Sequence, residues 1–257
     1  MALKIIASNQ VENKNNRVNK RQSSEKVAPG EFKITKISQQ VKNKQRYSIY
    51  INEKYSFSLN EYQLAGSGLS SGKILTQNEI NNFATESQFG KAYERALNYV
   101  TIRIRSEKEI NDYLARTFLY PKPKTYVNKS GERIFKKVEV DKEKTKTLIN
   151  RVIERLQLKG YINDEAFANA WVQSRQLTKR SSLRKLRQEL MVKGIQQSII
   201  EKVLTSQEEN ELQNLEELIM KKRRIIKYQD DVKLTQYLIR QGYSYDNIRS
   251  KLSDCNT

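Results

Sequence analysis

The chain repeats itself. Laying "LRQELMVKGIQQSIIEKVL" (residues 186–204) over "LTQYLIRQGYSYDNIRSKL" (residues 234–252) puts Leu186, Leu190, Gly194, Ile200 and Leu204 on Leu234, Leu238, Gly242, Ile248 and Leu252, all at an offset of 48 residues. Apolar residues four apart share a helical face, and a glycine just beyond them ends a helix where the backbone turns left-handed. Each copy therefore reads as helix, glycine cap, helix. A third, more distant copy has Ile110 and Leu114 in its first helix and Leu148, Val152 and Leu156 in its second, interrupted by residues 118–142. Another helix precedes each pair: Tyr93 to Arg103, Asp164 to Gln176, and Glu208 to Ile226. The unit is three helices, used three times. Such units bury a continuous core only by stacking on neighbours, which points to a tandem array.

The array has a different preface. Residues 1–30 are polar, rich in Asn, Lys, Gln and Ser, and without periodicity, and they read as a disordered basic tail. From Phe32 the period changes to two. In "RYSIYINEKYSFSL", Tyr47, Ile49 and Ile51, then Tyr55, Phe57 and Leu59, form the apolar face of a hairpin that turns at Asn52-Glu53-Lys54, and "FKITKI" adds a third strand. The expected division is a β-rich region and connection at 31–90, then three-helix modules at 91–160, 161–205 and 206–257, with the basic insertion 118–142 inside the first. Thr76-x-x-Glu79, Ser106-x-x-Glu109 and Ser206-x-x-Glu209 have capping-box spacing, and Asp141, Asp230 and Ser244 are simpler caps. The fold class is mainly α, behind a small β-hairpin region.

Composition narrows the chemistry. The 257 residues hold 48 Lys and Arg against 29 Asp and Glu, a formal charge of +19, which favours a polyanionic partner. There is no histidine, which removes Ser-His and Cys-His nucleophile pairs and His metal ligands, and Cys255 alone can build no disulfide or zinc site within the chain. No apolar run reaches the ~20 residues that span a bilayer, and the N-terminus lacks signal-peptide order. The expectation is a cytoplasmic monomer, not an enzyme, with no cofactor, no metal and no membrane partner.

Two stretches imitate sites. Asn163, Asp164 and Glu165 follow Gly160 and precede the periodic run Phe167, Trp171, Val172, where acids cap the orphan amides of a first turn. A metal site would need further carboxylates that the spacing does not advertise. The stretch "GSGLSSGKI", Gly66 to Ile74, has Ser67 and Ile74 where a phosphate loop needs glycine and a hydroxyl, so it reads as a sheet-to-helix connection.

The basic residues cluster. Residues 175–193 carry seven cations against Glu189, "KKRRIIK" at 221–227 adds five, and the insertion contributes Lys122, Lys124, Lys129, Arg133, Lys136 and Lys137. At ~100° per residue, Arg184 and Arg187 flank the stripe of Leu183, Leu186 and Leu190, where arginine can pair bidentately with phosphate or carboxylate. The candidate contact residues are Arg103, Arg105, Arg175, Arg180, Arg184, Arg187, Lys193, Lys221, Lys222, Arg223 and Arg224.

The stretches "AYERALNYVTIRIRSEKEINDYL" (92–114), "LKGYINDEAFANAWVQSR" (158–175) and "LRKLRQELMVKGI" (183–195) resemble, in order, the motifs of the bacterial regulatory protein RecX family. The resemblance implies three tandem three-helix modules without catalysis. It also implies binding in the groove of the RecA filament, contact with single- and double-stranded DNA, and inhibition of RecA recombinase and ATPase activity in recombination and the SOS response. On this basis residues 163–165 become the joint between modules one and two. The alternative is a sequence-nonspecific nucleic-acid-binding helical repeat protein with no RecA partner.

Overall fold

The computed structural model describes residues 31–127, 130–136 and 138–254. The expected basic tail, Lys129, Lys137 and Cys255 lie outside the described residues.

The chain opens with strands β1 (Phe32–Gln39), β2 (Arg46–Ile51) and β3 (Lys54–Asn60). A short helix α1 (Glu61–Ser67) and a two-residue strand β4 (Ile74–Leu75) complete a sheet of order β3-β2-β1-β4, antiparallel at every pairing. Asn52 and Glu53 join β2 to β3 with φ of 47° and 67°, the doubly left-handed turn that matches strand twist. The apolar face holds as read, with one correction. A bulge after Ile49 pairs Tyr50 with Tyr55, so Tyr55 leaves the face of Phe57 and Leu59 and sets its ring edge-on to Tyr50. Ile34, Ile49, Ile51, Phe57, Leu59 and Leu75 form the core of this region.

Helix α2 (Gln77–Ile102) covers that core and continues past it. Its N-terminal half stacks Phe83 on Phe57 at 5.6 Å, and Ser87 donates to the Ser58 carbonyl at 2.6 Å. The buried guanidinium of Arg46 reaches Glu94 of the same helix at 2.8 Å. Its C-terminal half supplies Ala92, Ala96 and Val100 to the next cluster. The two expected helix starts in this region therefore lie on one helix, which runs unbroken through the expected boundary at residue 90.

The first cluster is completed by α3 (Glu107–Leu114), a π-helical turn (Ala115–Leu119) and α4 (Lys142–Leu158), with Ile110, Leu114, Ile149, Val152 and Leu156 inside. Between α3 and α4 the insertion forms a two-stranded ribbon of β5 (Lys124–Val127) and β6 (Arg133–Lys136). The second cluster comes from α5 (Asp164–Lys179), α6 (Leu183–Val192) and α7 (Gln197–Thr205). The third comes from α8 (Glu211–Arg223), α9 (Asp231–Arg240) and α10 (Tyr245–Asp254). The residues matched by the 48-residue offset, including Leu186 with Leu234 and Ile200 with Ile248, occupy equivalent places in these two cores.

One cap is corrected. Ser206 ends α7, its hydroxyl donating to the Val203 carbonyl, and the chain passes through a 3-10 turn at Glu208–Asn210 before α8 begins. Thr76–Glu79 is a complete capping box. Ser106 caps α3, but Glu109 does not return to its backbone. Its carboxylate is held elsewhere.

Candidate polyanion-binding surface

Successive helical units meet through a recurring polar joint. Ser106, buried at the N-terminus of α3, accepts from the Glu109 amide and donates to the Lys193 carbonyl at 2.8 Å, just past the C-terminus of α6. Lys108 covers the adjacent Val192 carbonyl at 2.9 Å. The next joint repeats the pattern. Ser182 accepts from the Lys185 amide and donates to the Gln241 carbonyl at 2.9 Å, just past the C-terminus of α9, while Lys185 reaches the Arg240 carbonyl at 3.3 Å. The middle helices of the three units thus abut end to end, the positive N-terminus of one against the negative C-terminus of the next.

The 163–165 corner belongs to the first joint. Asn163 caps α5 by accepting from the Ala166 amide, Asp164 accepts from the Glu107 amide at 2.8 Å, and Glu165 pairs with Lys202 at 2.6 Å. Among the described residues no group of three acids, His or Cys could hold a metal ion. Burial raises the Asp164 carboxyl above the ordinary range, against the opposing hydrogen bond from Glu107. A raised carboxyl keeps its proton longer in the folded chain, so its contribution to stability is present at low pH and lost as pH rises through the folded value. Asp164→Asn keeps an acceptor for Glu107 and sheds the half-buried charge. It is expected to melt no lower than the parent at pH 7, whereas Asp164→Ala, which orphans the amide, loses about 1 kcal/mol. Thermal melts from pH 3 to 7 check both. Glu109 shows the opposite sign. Burial raises its carboxyl, but hydrogen bonds from Arg103 and Lys193 outweigh this and hold it below the usual range. Its contribution is lost as pH falls through that lowered value.

The structure sorts the eleven candidate cations. Seven are committed within the molecule. Arg103 and Lys193 share Glu109, and Arg105 lies over the Tyr99 ring at 3.8 Å with a hydrogen bond to the Tyr99 hydroxyl. Arg175 donates to Glu189 at 2.7 Å, the carboxylate that also takes the Trp171 indole N–H, and Arg175 and Lys193 both approach that indole ring. Arg180 pairs with Glu217, Arg187 bidentately with Glu201, and Arg223 with Asp231. Lys222 sits over the rings of Tyr237 and Tyr228 at 4.6 and 5.4 Å. Arg184, Lys221 and Arg224 are exposed and pair with no carboxylate among the described residues.

The expected basic cluster therefore divides. Arg184 and Arg187 line a cleft that also holds Glu208 and Glu211, a surface of mixed sign. A second cleft of about 270 Å³, between the second and third units, is lined by Thr178, Lys179, Arg180, Lys185, Leu218, Lys221, Lys222, Tyr237 and Gln241. Five of these are cations and none is an acid. Lys179 ends α5 and Lys221 and Lys222 lie in the last turn of α8, where cations also offset the helix dipole. Lys185 enters through the joint. Tyr243, whose phenol burial pushes far above its ordinary pKa, donates to the Arg180 carbonyl at 2.8 Å and fixes the left-handed residue on the cleft wall. Lys179 and Lys185 join the candidates here, since a preference for arginines beside the apolar stripe passes them over in the sequence. Their signal is positional, since one ends a helix and the other follows a joint serine.

Three family profiles match the chain: the regulatory protein RecX N-terminal domain over residues 32–76, the RecX first three-helix domain over 92–117 and the RecX second three-helix domain over 163–204. The regulatory protein RecX of Listeria welshimeri is 35% identical over 218 residues, covering 83% of this chain and 72% of that protein. That of Listeria monocytogenes serotype 4b is 31% identical over 265 residues, covering 87% of this chain and 97% of that protein. A crystal structure of regulatory protein RecX superposes with a TM-score of 0.61 at 27% identity, covering 86% of this chain and 99% of that one.

Proposed function

The chain belongs to the RecX family of regulatory proteins, and from that premise we propose that it binds the RecA–DNA filament in its groove and restrains RecA recombinase and ATPase activity in the cytoplasm. It acts by occupancy and catalyses nothing itself. The observation that carries this reading is the acid-free cationic cleft between the second and third units, with Lys179 and Lys221 on its walls and paired with no carboxylate among the described residues. Such a concave, single-signed surface suits a phosphate backbone or a carboxylate-rich ridge, and focuses the field of a strongly basic chain onto one place. No helix among the described residues is long and apolar enough to cross a membrane.

The test is ATP hydrolysis by RecA on single-stranded DNA, with this protein titrated in at fixed salt. Inhibition is expected well below one molecule per RecA monomer, because a groove-bound molecule acts on a whole filament. Inhibition that starts only when the protein suffices to coat the DNA would instead indicate competition for phosphates, and the nonspecific nucleic-acid-binding reading would replace this one.

A further inference from the structure

The ribbon of β5 and β6 lies outside all three matched ranges and outside the three-helix pattern. Its strands pack chiefly against each other. The register pairs Thr125 with Phe135 and Val127 with Arg133, which places those four side chains on one face, and pairs Tyr126 with Ile134 on the other. Neither face is covered by the described residues. Phe135 is 69% exposed, Val127 67%, Tyr126 50% and Ile134 49%. A two-stranded ribbon gains little stability alone, and apolar rings held in water add none.

We propose that this ribbon is a contact arm for single-stranded nucleic acid. Unstacked bases lie on the Phe135 ring of one face and on the Tyr126 ring of the other, and Arg133, beside Phe135, takes backbone phosphate. The charge selects the occupant. Residues 122–137 contain six Lys and Arg against Glu132, so a second copy adding its strand to the open edge would bring two strongly positive ribbons together. Aromatic rings interleaved with cations are what an unpaired strand uses, because every base has a face to stack and every nucleotide a phosphate. Duplex DNA hides its base faces, so the ring contribution is specific to single strands. This goes beyond the filament reading, and the test contains no recombinase, so the two can fail separately.

The experiment is fluorescence anisotropy of a labelled oligo(dT) with the full-length chain, alongside a duplex of equal length. The variant Tyr126→Ala with Phe135→Ala is expected to weaken oligo(dT) binding roughly tenfold or more, at about 1–3 kcal/mol per stacked base. Duplex binding and the salt slope should hardly change, since the charges remain, and Phe135→Trp in place of Phe135→Ala should recover most of the loss. Photocrosslinking of 5-iodouracil-substituted oligonucleotide to the unaltered protein should place an adduct on Tyr126 or Phe135. Unchanged oligo(dT) affinity in the double variant, adducts confined to other regions, or a wild-type dimer that the double variant converts to monomer would each overturn the proposal.

Discussion

Gly242→Ala is expected to lower the melting temperature by on the order of 10 °C, while Gly160→Ala lowers it by only a few degrees. Both glycines follow a helix with positive φ, 94° and 73°. At both, a side chain meets left-handed strain of about 1–2 kcal/mol. Their surroundings differ. A Cβ at Gly160 meets nothing within 4 Å, whereas at Gly242 it would lie 2.3 Å from the Ser182 hydroxyl and 3.2 Å from the Lys185 amide. That hydroxyl caps α6 and bonds the Gln241 carbonyl, so moving it removes a cap and opens the joint, adding about 1–2 kcal/mol. Circular dichroism melts of the two variants check the order. Equal shifts would mean that Ser182 yields freely and the joint contributes little.

The second large effect is on binding. Lys179→Glu with Lys221→Glu is expected to weaken filament inhibition roughly tenfold or more and to flatten its salt dependence, as for lost phosphate contacts. Stability should fall only modestly, by about 0.3–1 kcal/mol per site for an acid at a helix C-terminus, since neither lysine pairs with a carboxylate among the described residues. Arg187→Glu separates the alternatives. Its guanidinium and Glu201 hold each other, raising the arginine and lowering the carboxyl through their hydrogen bond, so reversal sets two acids side by side between α6 and α7. That variant should melt lower yet, once folded, inhibit nearly as the parent. Inhibition that survives the cleft reversal and fails in Arg187→Glu would move the contact surface to the mixed-sign cleft. The measurement is the RecA ATPase titration, paired with melts of each variant.

What the sequence made legible follows from how far its signals reach. Strand alternation, the Thr76 and Asn163 caps and the 48-residue repeat depend on neighbours within a turn or two, and these appear where expected. The failures depend on distant partners. Ser206-x-x-Glu209 has capping-box spacing, but α8 begins at Glu211, whose carboxylate accepts from the Leu183 amide 28 residues earlier. Glu109 has capping-box spacing too, but Lys193 claims its carboxylate from the next unit. Likewise a run of arginines carries no mark of which ones have acids waiting. Glu189, Glu201 and Glu217 remove Arg175, Arg187 and Arg180 from the free surface, leaving Lys179 and Arg184 between them without a carboxylate partner among the described residues.

The serine at each joint uses its hydroxyl twice, as acceptor for its own helix and as donor to the carbonyl of the next unit. Position 230, which caps the third middle helix, is an aspartate that accepts from the Val232 and Lys233 amides. A carboxylate caps as well as a hydroxyl but has no proton to offer. A fourth unit presenting its helix carbonyl there would meet negative charge instead of a donor. The doubly used hydroxyl of Ser106 and Ser182 therefore has no counterpart at Asp230, whose carboxylate serves its own helix alone.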